Sequence, residues 1–167
     1  IEAAALSWNV AFEVAGFSNA LVVKQQPDDA DWDAGDIRYN VLRWTASPNP
    51  PFGGYGPSFT NPRTGQIIGA DIMLEFSFLT NRLRIKDVLQ PSASQLDGLG
   101  RRCDLGAHMQ MDQMFAAQAL AMNGVAEALR EQLIKDSMYM LILHEIGHTL
   151  GLTHNMRASQ LQPDVFD

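Results

Sequence analysis

Residues 144–154 read HEIGHTLGLTH, and this stretch decides how the rest of the chain is interpreted. It contains three of the four histidines of the chain. His144 and His148 are four residues apart, so one turn of an α-helix places both imidazoles on the same face. Two such imidazoles can reach one ion at the usual zinc–nitrogen distance of about 2.0–2.1 Å. The H-E-x-x-H spacing of His144, Glu145 and His148 therefore predicts a zinc site on a helix.

Gly151 and His154 lengthen the pattern to H-E-x-x-H-x-x-G-x-x-H, which is much rarer than the short form. Glycine adopts a positive φ without a Cβ clash, so Gly151 is predicted to end the helix and let His154 turn back as a third ligand. Three protein ligands leave one position open for water, which is the catalytic arrangement of zinc. Glu145 lies about 100° around the helix from His144, beside the ion, where a carboxylate can take a proton from metal-bound water.

The residues before the motif predict a helix that carries it into the core. Charges recur from Glu127 to Asp136, and residues 138–143 then read MYMLIL. A helical stretch that is apolar all round is predicted to be buried on every side. Asn123-Gly124 predicts a break before this helix. The apolar run is far too short to cross a membrane.

The remaining pattern predicts one mixed α/β domain over residues 1–167, which is a normal length for a single domain. Apolar periodicity predicts helices over residues 2–16 and 107–122. Strands are predicted at 20–25, 37–44 and 67–76, with a short strand within Tyr55–Thr60 of the glycine- and proline-rich loop 47–66. Residues 77–106 favour no single element.

The segment HEIGHTLGLTHNMRAS, residues 144–159, resembles the metzincins, the zinc-peptidase clan with the extended three-histidine motif. It is similar in particular to a group of large, secreted bacterial zinc metalloproteases that carry H-N and then A-S after the third histidine. DIRYNVLRW (36–44) and GGYGPSFTNPRTGQIIGADI (53–72) resemble the sheet region of that group. The resemblance therefore spans most of the chain from about Asp36 onward.

The resemblance implies an α/β (α+β) fold of the metzincin-like zincin type, in which a twisted mixed sheet packs on a long zinc-binding helix. It also implies that the strand bordering the cleft is an antiparallel edge strand within Tyr55–Thr60, and such an edge can bind an extended peptide. The implied location is secreted, periplasmic or in the cell envelope. Metzincins carry a methionine turn well downstream of the third histidine, and Met156 is too close to His154 to be that methionine. We therefore expect a catalytic fragment, truncated at both ends and weakly active when isolated.

Three other signals are weaker. Cys103 is the only cysteine, which excludes an intramolecular disulfide, and it is predicted to be a small apolar side chain rather than a cysteine that caps zinc. The aspartates of residues 27–36 lack the glycine and glutamate of the EF-hand pattern, which favours a solvated acidic loop over a calcium site. His108 is predicted to be structural or on the surface. The net charge of −7 and the absence of a lysine/arginine cluster argue against a nucleic-acid partner.

The primary hypothesis is a zinc-dependent endopeptidase. His144, His148 and His154 would hold Zn²⁺, which lowers the pKa of its bound water toward about 7, and Glu145 would act as the general base. The partner would be a peptide or protein substrate in an extended conformation. One alternative is a non-catalytic zinc- or peptide-binding relic of a peptidase, against which the retention of Glu145 argues. Another is a zinc hydrolase of a different acyl bond, because the same activated water attacks esters and amides.

Overall fold

A computed structural model of the chain describes residues 1–48, 53–76, 105–124 and 127–154. Its elements, in chain order, are α1 (Glu2–Leu6), α2 (Trp8–Val14), β1 (Val41–Thr45), β2 (Gly54–Tyr55), β3 (Ser58–Thr60), β4 (Ile67–Glu75), α3 (Leu105–Met122) and α4 (Glu127–Thr149). Within these residues no helix is both long enough and apolar enough to cross a membrane. Cys103 and most of the ambiguous segment 77–106 lie outside the described residues.

The strands form a mixed four-stranded sheet with β4 at its centre. β1 runs parallel to β4, with Val41 opposite Asp71. β2 and β3 run antiparallel along the other side of β4, with Gly54 opposite Leu74 and Ser58 opposite Ala70. No described strand pairs with the outer side of β2 or β3, so they form an edge. The predicted mixed α/β class is therefore confirmed, and the antiparallel strand lies where the resemblance implied it.

Helix α4 packs on the sheet through one face. Ile72 and Leu74 are two residues apart on β4, so both side chains point to the same side of the sheet. They meet a helical stripe with three- and four-residue spacing, and the buried cluster comprises Ala4, Ala5, Ile72, Leu74, Met138, Leu141, Ile142 and Ile146. Because β2 also contacts α4, the edge of the sheet lies against the helix that carries the histidine motif.

The prediction that residues 138–143 are buried on every side is wrong. Leu141 and Ile142 are fully buried, but Tyr139 is 39% exposed and Met140 is 55% exposed. The sheet covers only one face of the helix over these residues, so the apolar side chains on the other face remain accessible among the described residues. The predicted break is confirmed, since α3 ends at Met122 and Gly124 adopts a φ of 65°.

Two predicted elements are shorter or absent because side chains bind the backbone instead. Residues 20–25 form no strand; Leu21 donates its N–H to Asn9 Oδ1 (2.8 Å) and accepts a hydrogen bond from Asn9 Nδ2 (2.9 Å). The predicted strand 37–44 begins only at Val41, because a turn precedes it in which Arg38 N–H donates to Asp36 Oδ1 (3.0 Å).

The predicted helix 2–16 is divided at Ser7 into α1 and α2. Ser7 Oγ donates to Ala4 O (2.6 Å), and a serine hydroxyl that binds the preceding turn competes with the regular helix pattern. The pair of short helices still covers the predicted range up to Val14, and Gly16 follows it with a φ of 91°.

Candidate metal centre

The histidine motif lies at the C-terminal end of α4, where a glycine turn stops the helix. Gly151 has a φ of 94°, as predicted for a left-handed helix end. Its N–H donates to His148 O (3.0 Å), and Leu152 N–H donates to Gly147 O (3.1 Å). These two bonds form a Schellman motif, which uses carbonyls left free at a helix end. The turn reverses the chain immediately before His154.

The reversal brings the third imidazole to the other two. The ligand atoms of His144, His148 and His154 all lie within 4.8 Å of one another. His144 Nε2 lies 3.2 Å from His154 Nε2. Two nitrogens at about 2.0–2.1 Å from a tetrahedral ion are about 3.3–3.4 Å apart, so these two atoms have the spacing that zinc requires. The three predicted ligands therefore fit one ion.

The tautomer and charge of two histidines also suit a metal. His148 Nδ1 lies 2.9 Å from Leu152 O, and because a carbonyl only accepts, Nδ1 carries the proton and Nε2 is left as a lone-pair donor. Burial, together with the neighbouring His148 and His154, lowers the pKa of His144 to about 4. His144 is therefore neutral at physiological pH, which is the form that binds a metal.

Glu145 faces away from solvent and into the protein. Its side chain is fully buried, and neither carboxylate oxygen has a hydrogen-bond partner of good geometry. Burial raises the pKa of Glu145, while His148 and the nearby Gly56 N–H act in the opposite direction. A buried carboxylate without a well-formed hydrogen bond is unfavourable, which points to a role other than stability.

Trp8 supports the motif from the N-terminal helices, which the sequence did not predict. Its Nε1–H donates to Leu143 O (3.0 Å), although the two residues are 135 positions apart. The indole lies against Gly147, where an added Cβ would be 3.1 Å from Trp8 Cζ2. The indole thus packs beside the turn of α4 that carries His144 and His148. In the sequence, Gly147 within the H-E-x-x-H motif is the signal that a large side chain packs against this turn of α4.

The weaker candidates stay apart from this centre. Among the described residues, the three histidines are the one group of metal-binding side chains close enough to share an ion. In the acidic loop, Asp33 Oδ1 accepts the Gly35 N–H and Asp36 binds Arg38, so these carboxylates cap their own turns. His108 lies on α3 and is exposed, as predicted.

A comparison with known families agrees with this geometry. Residues 126–165 match the model of a family described as Met-zincin. This segment is similar to a Met-zincin. The match covers less than half of the chain but includes Glu145 and all three histidines, and it supports a zinc metallopeptidase type of function with zinc as the ion. The mixed α/β fold is consistent with a Met-zincin. No curated protein and no solved structure matches the chain.

Proposed function

We propose that the protein is a zinc-dependent endopeptidase. The observation that carries the proposal is the pairing of two features at the C-terminal end of α4. Three imidazoles converge on one point, and beside them lies a buried carboxylate with no hydrogen bond of good geometry. A site that only stored metal would need the histidines and would have no use for the carboxylate.

Each residue has a separate role in the proposed reaction. His144, His148 and His154 hold Zn²⁺, which when bound supplies Lewis-acid activation of water and of the scissile carbonyl. Glu145 accepts a proton from the attacking water and returns it to the leaving amine. Neither of its oxygens has a well-formed hydrogen bond, so no such bond has to break before Glu145 accepts a proton.

The proposed substrate is a peptide or protein segment in an extended conformation. The edge formed by β2 and β3 has no strand on its outer side within the described residues, and such an edge can add a peptide through main-chain hydrogen bonds. Tyr55 and Phe59 on this edge are 37% and 41% exposed, so part of each side chain faces solvent. A secreted or cell-envelope location, implied by the resemblance to secreted proteases, belongs to the same proposal.

The test separates metal binding from turnover. The zinc-loaded protein is assayed on a mixed peptide library, with bound zinc measured by elemental analysis. We expect Glu145→Gln to keep about one equivalent of zinc and to lose roughly 10²–10⁴-fold in kcat/KM. His148→Ala should lose the zinc as well as the activity.

Three outcomes would contradict the proposal. Equal peptidase rates for wild type and Glu145→Gln would exclude Glu145 as the general base. Undiminished zinc in His144→Ala, His148→Ala and His154→Ala would exclude these histidines as the zinc ligands. Cleavage of matched esters with no cleavage of any peptide would favour a hydrolase of another acyl bond.

A further inference from the structure

Strand β2 lies against helix α4 at Glu145. Gly54 and Gly56 are both buried, whereas Tyr55 between them is 37% exposed. Successive residues of an extended chain point to opposite sides, so the two glycines share the side that faces the helix. The edge of the sheet therefore presents bare backbone to the residue proposed as general base.

The fit is tight at Gly54 and leaves no space for a Cβ at Gly56. A Cβ at position 54 would lie 3.0 Å from Glu145 Oε1 and 3.1 Å from both Glu145 Cγ and Leu141 Cδ1. A Cβ at position 56 would lie 2.5 Å from the backbone oxygen of Glu145. By contrast, a Cβ at Gly69 on β4 would meet Phe59 Cδ2 at 3.4 Å, an ordinary contact.

The two glycines touch different parts of the same residue. Position 54 faces the carboxylate and its methylene, and position 56 faces the main chain. Catalytic carboxylates are commonly oriented by hydrogen bonds from supporting residues. Here neither oxygen has a well-formed hydrogen bond, and the narrow space between Gly54, Gly56 and α4 limits where the side chain can lie.

We propose that Gly54 and Gly56 are positioning residues for Glu145: Gly54 confines its carboxylate and Gly56 sets the distance between strand and helix. This proposal rests on the proposed function, because it explains how Glu145 is oriented and takes the role of Glu145 as general base from that function. Confinement by backbone limits where the carboxylate can lie without using either oxygen in a well-formed hydrogen bond. A side chain at position 54 would press on the carboxylate, and one at position 56 would clash with the main chain of residue 145.

The first test measures stability and needs no activity. In the zinc-loaded protein, Gly54→Ala should lower Tm by roughly 2–10 °C through overpacking. Most of that loss should disappear in a Glu145→Ala background, since two of the three contacting atoms are then gone. Gly56→Ala should cost about the same in both backgrounds, because its contacts are to the main chain and Cβ of residue 145. Gly69→Ala is the matched control and should change Tm little.

The second test measures turnover in a double-mutant cycle. Gly54→Ala should lower kcat on a peptide substrate by about 10-fold, with KM and bound zinc unchanged, as expected for a misplaced base. In a Glu145→Gln background the same change should cost nothing further, since the base it acts through is gone. Gly69→Ala should leave kcat unchanged in both backgrounds.

The outcomes distinguish the two proposals. If Glu145→Gln lowers kcat/KM as expected but Gly54→Ala lowers kcat by the same factor in both backgrounds, the glycine is only structural, and the positioning role fails while the proposed function stands. If wild type and Glu145→Gln cleave peptides equally, the proposed function fails, and the positioning role fails with it.

Discussion

Glu75 and Glu145 are two glutamates buried to the same degree, at 1% and 0% exposure, yet their surroundings are opposite. Glu75, at the end of β4, accepts hydrogen bonds from Thr45 Oγ1 (2.8 Å), Ser47 Oγ (2.6 Å) and Ser47 N–H (3.0 Å). Glu145 has no partner of good geometry for either oxygen. Glu75 thus links the ends of two strands, whereas Glu145 forms no well-formed hydrogen bond to another element.

The difference shows in the pKa of each group. Burial raises the pKa of Glu75, but hydrogen bonds from Ser47 and Thr45 outweigh it and leave the pKa below its ordinary value. Burial dominates at Glu145 and raises its pKa. An unpaired buried polar group costs about 1–3 kcal/mol, and more when charged, so a fold under no other demand would supply donors. This contrast supports the proposal that Glu145 is the catalytic glutamate, whereas Glu75 is held by hydrogen bonds between strand ends.

The largest expected difference between Glu75 and Glu145 is in what each contributes to the free energy of unfolding. In the metal-free protein, Glu75→Gln should cost about 1.5–3 kcal/mol, the range for hydrogen bonds to a charged group. Glu145→Gln should leave the free energy of unfolding unchanged or higher, because it removes the charge from an unsatisfied buried group. Urea denaturation of both variants measures the difference. Equal destabilisation by the two changes would mean that Glu145 has a structural partner after all.

The next effect concerns whether the unpartnered glutamate belongs to a metal centre. Gly151→Ala should cost about 1–2 kcal/mol, because alanine is strained at a φ of 94°, and it should weaken zinc binding about 10-fold by shifting His154. Gly124→Ala is the matched control: its φ is also positive, at 65°, and its Cβ would meet nothing within 4 Å. Gly124→Ala and Glu75→Gln should leave zinc affinity intact in a chelator competition. Equal zinc loss in all three variants would contradict the assignment.

A smaller effect is expected from the hydrogen bond of Trp8, which joins two neutral groups and so serves as a reference for the charged hydrogen bonds of Glu75. Trp8→Phe keeps an aromatic ring beside Gly147 but removes the hydrogen bond to Leu143 O. Because donor and acceptor are neutral, the cost should be about 0.5–1.5 kcal/mol, less than that of Glu75→Gln. Thermal unfolding of the two variants side by side provides the measurement. A larger loss in Trp8→Phe would show that the indole does more than donate one bond.

The smallest expected effect is the change with pH of the stability that Glu75 contributes. A carboxyl whose pKa is lowered on folding adds stability above its ordinary pKa of 4.5, and this contribution is lost as the pH falls through the folded value. As the pH is lowered from about 5, wild type should therefore lose more stability than Glu75→Gln. Urea midpoints across that range give the two slopes. Parallel slopes would show that the hydrogen bonds to Glu75 do not favour its ionised form.

The sequence predicted most of the elements but not all of their limits. The long strand β4, the helix α3 and the break at Asn123-Gly124 agree with their patterns to within two residues. The predicted strand at 20–25 was wrong, because alternation in sequence cannot show that Asn9 supplies the partner of Leu21. The predicted burial of residues 138–143 on all sides was wrong for the same reason: composition does not show that the sheet covers only one face.

What the sequence determined by itself is the group of three histidines. One helical turn separates His144 from His148, and a glycine with positive φ returns His154, so local backbone geometry alone brings the ligands together. The tertiary structure decided the state of Glu145. Its burial and its slot depend on Gly54 and Gly56, which are distant in sequence and reach α4 only because the sheet packs on that helix. Spacing along a chain fixes neighbours within a turn, whereas close contact between separate elements follows from the packing of the whole core.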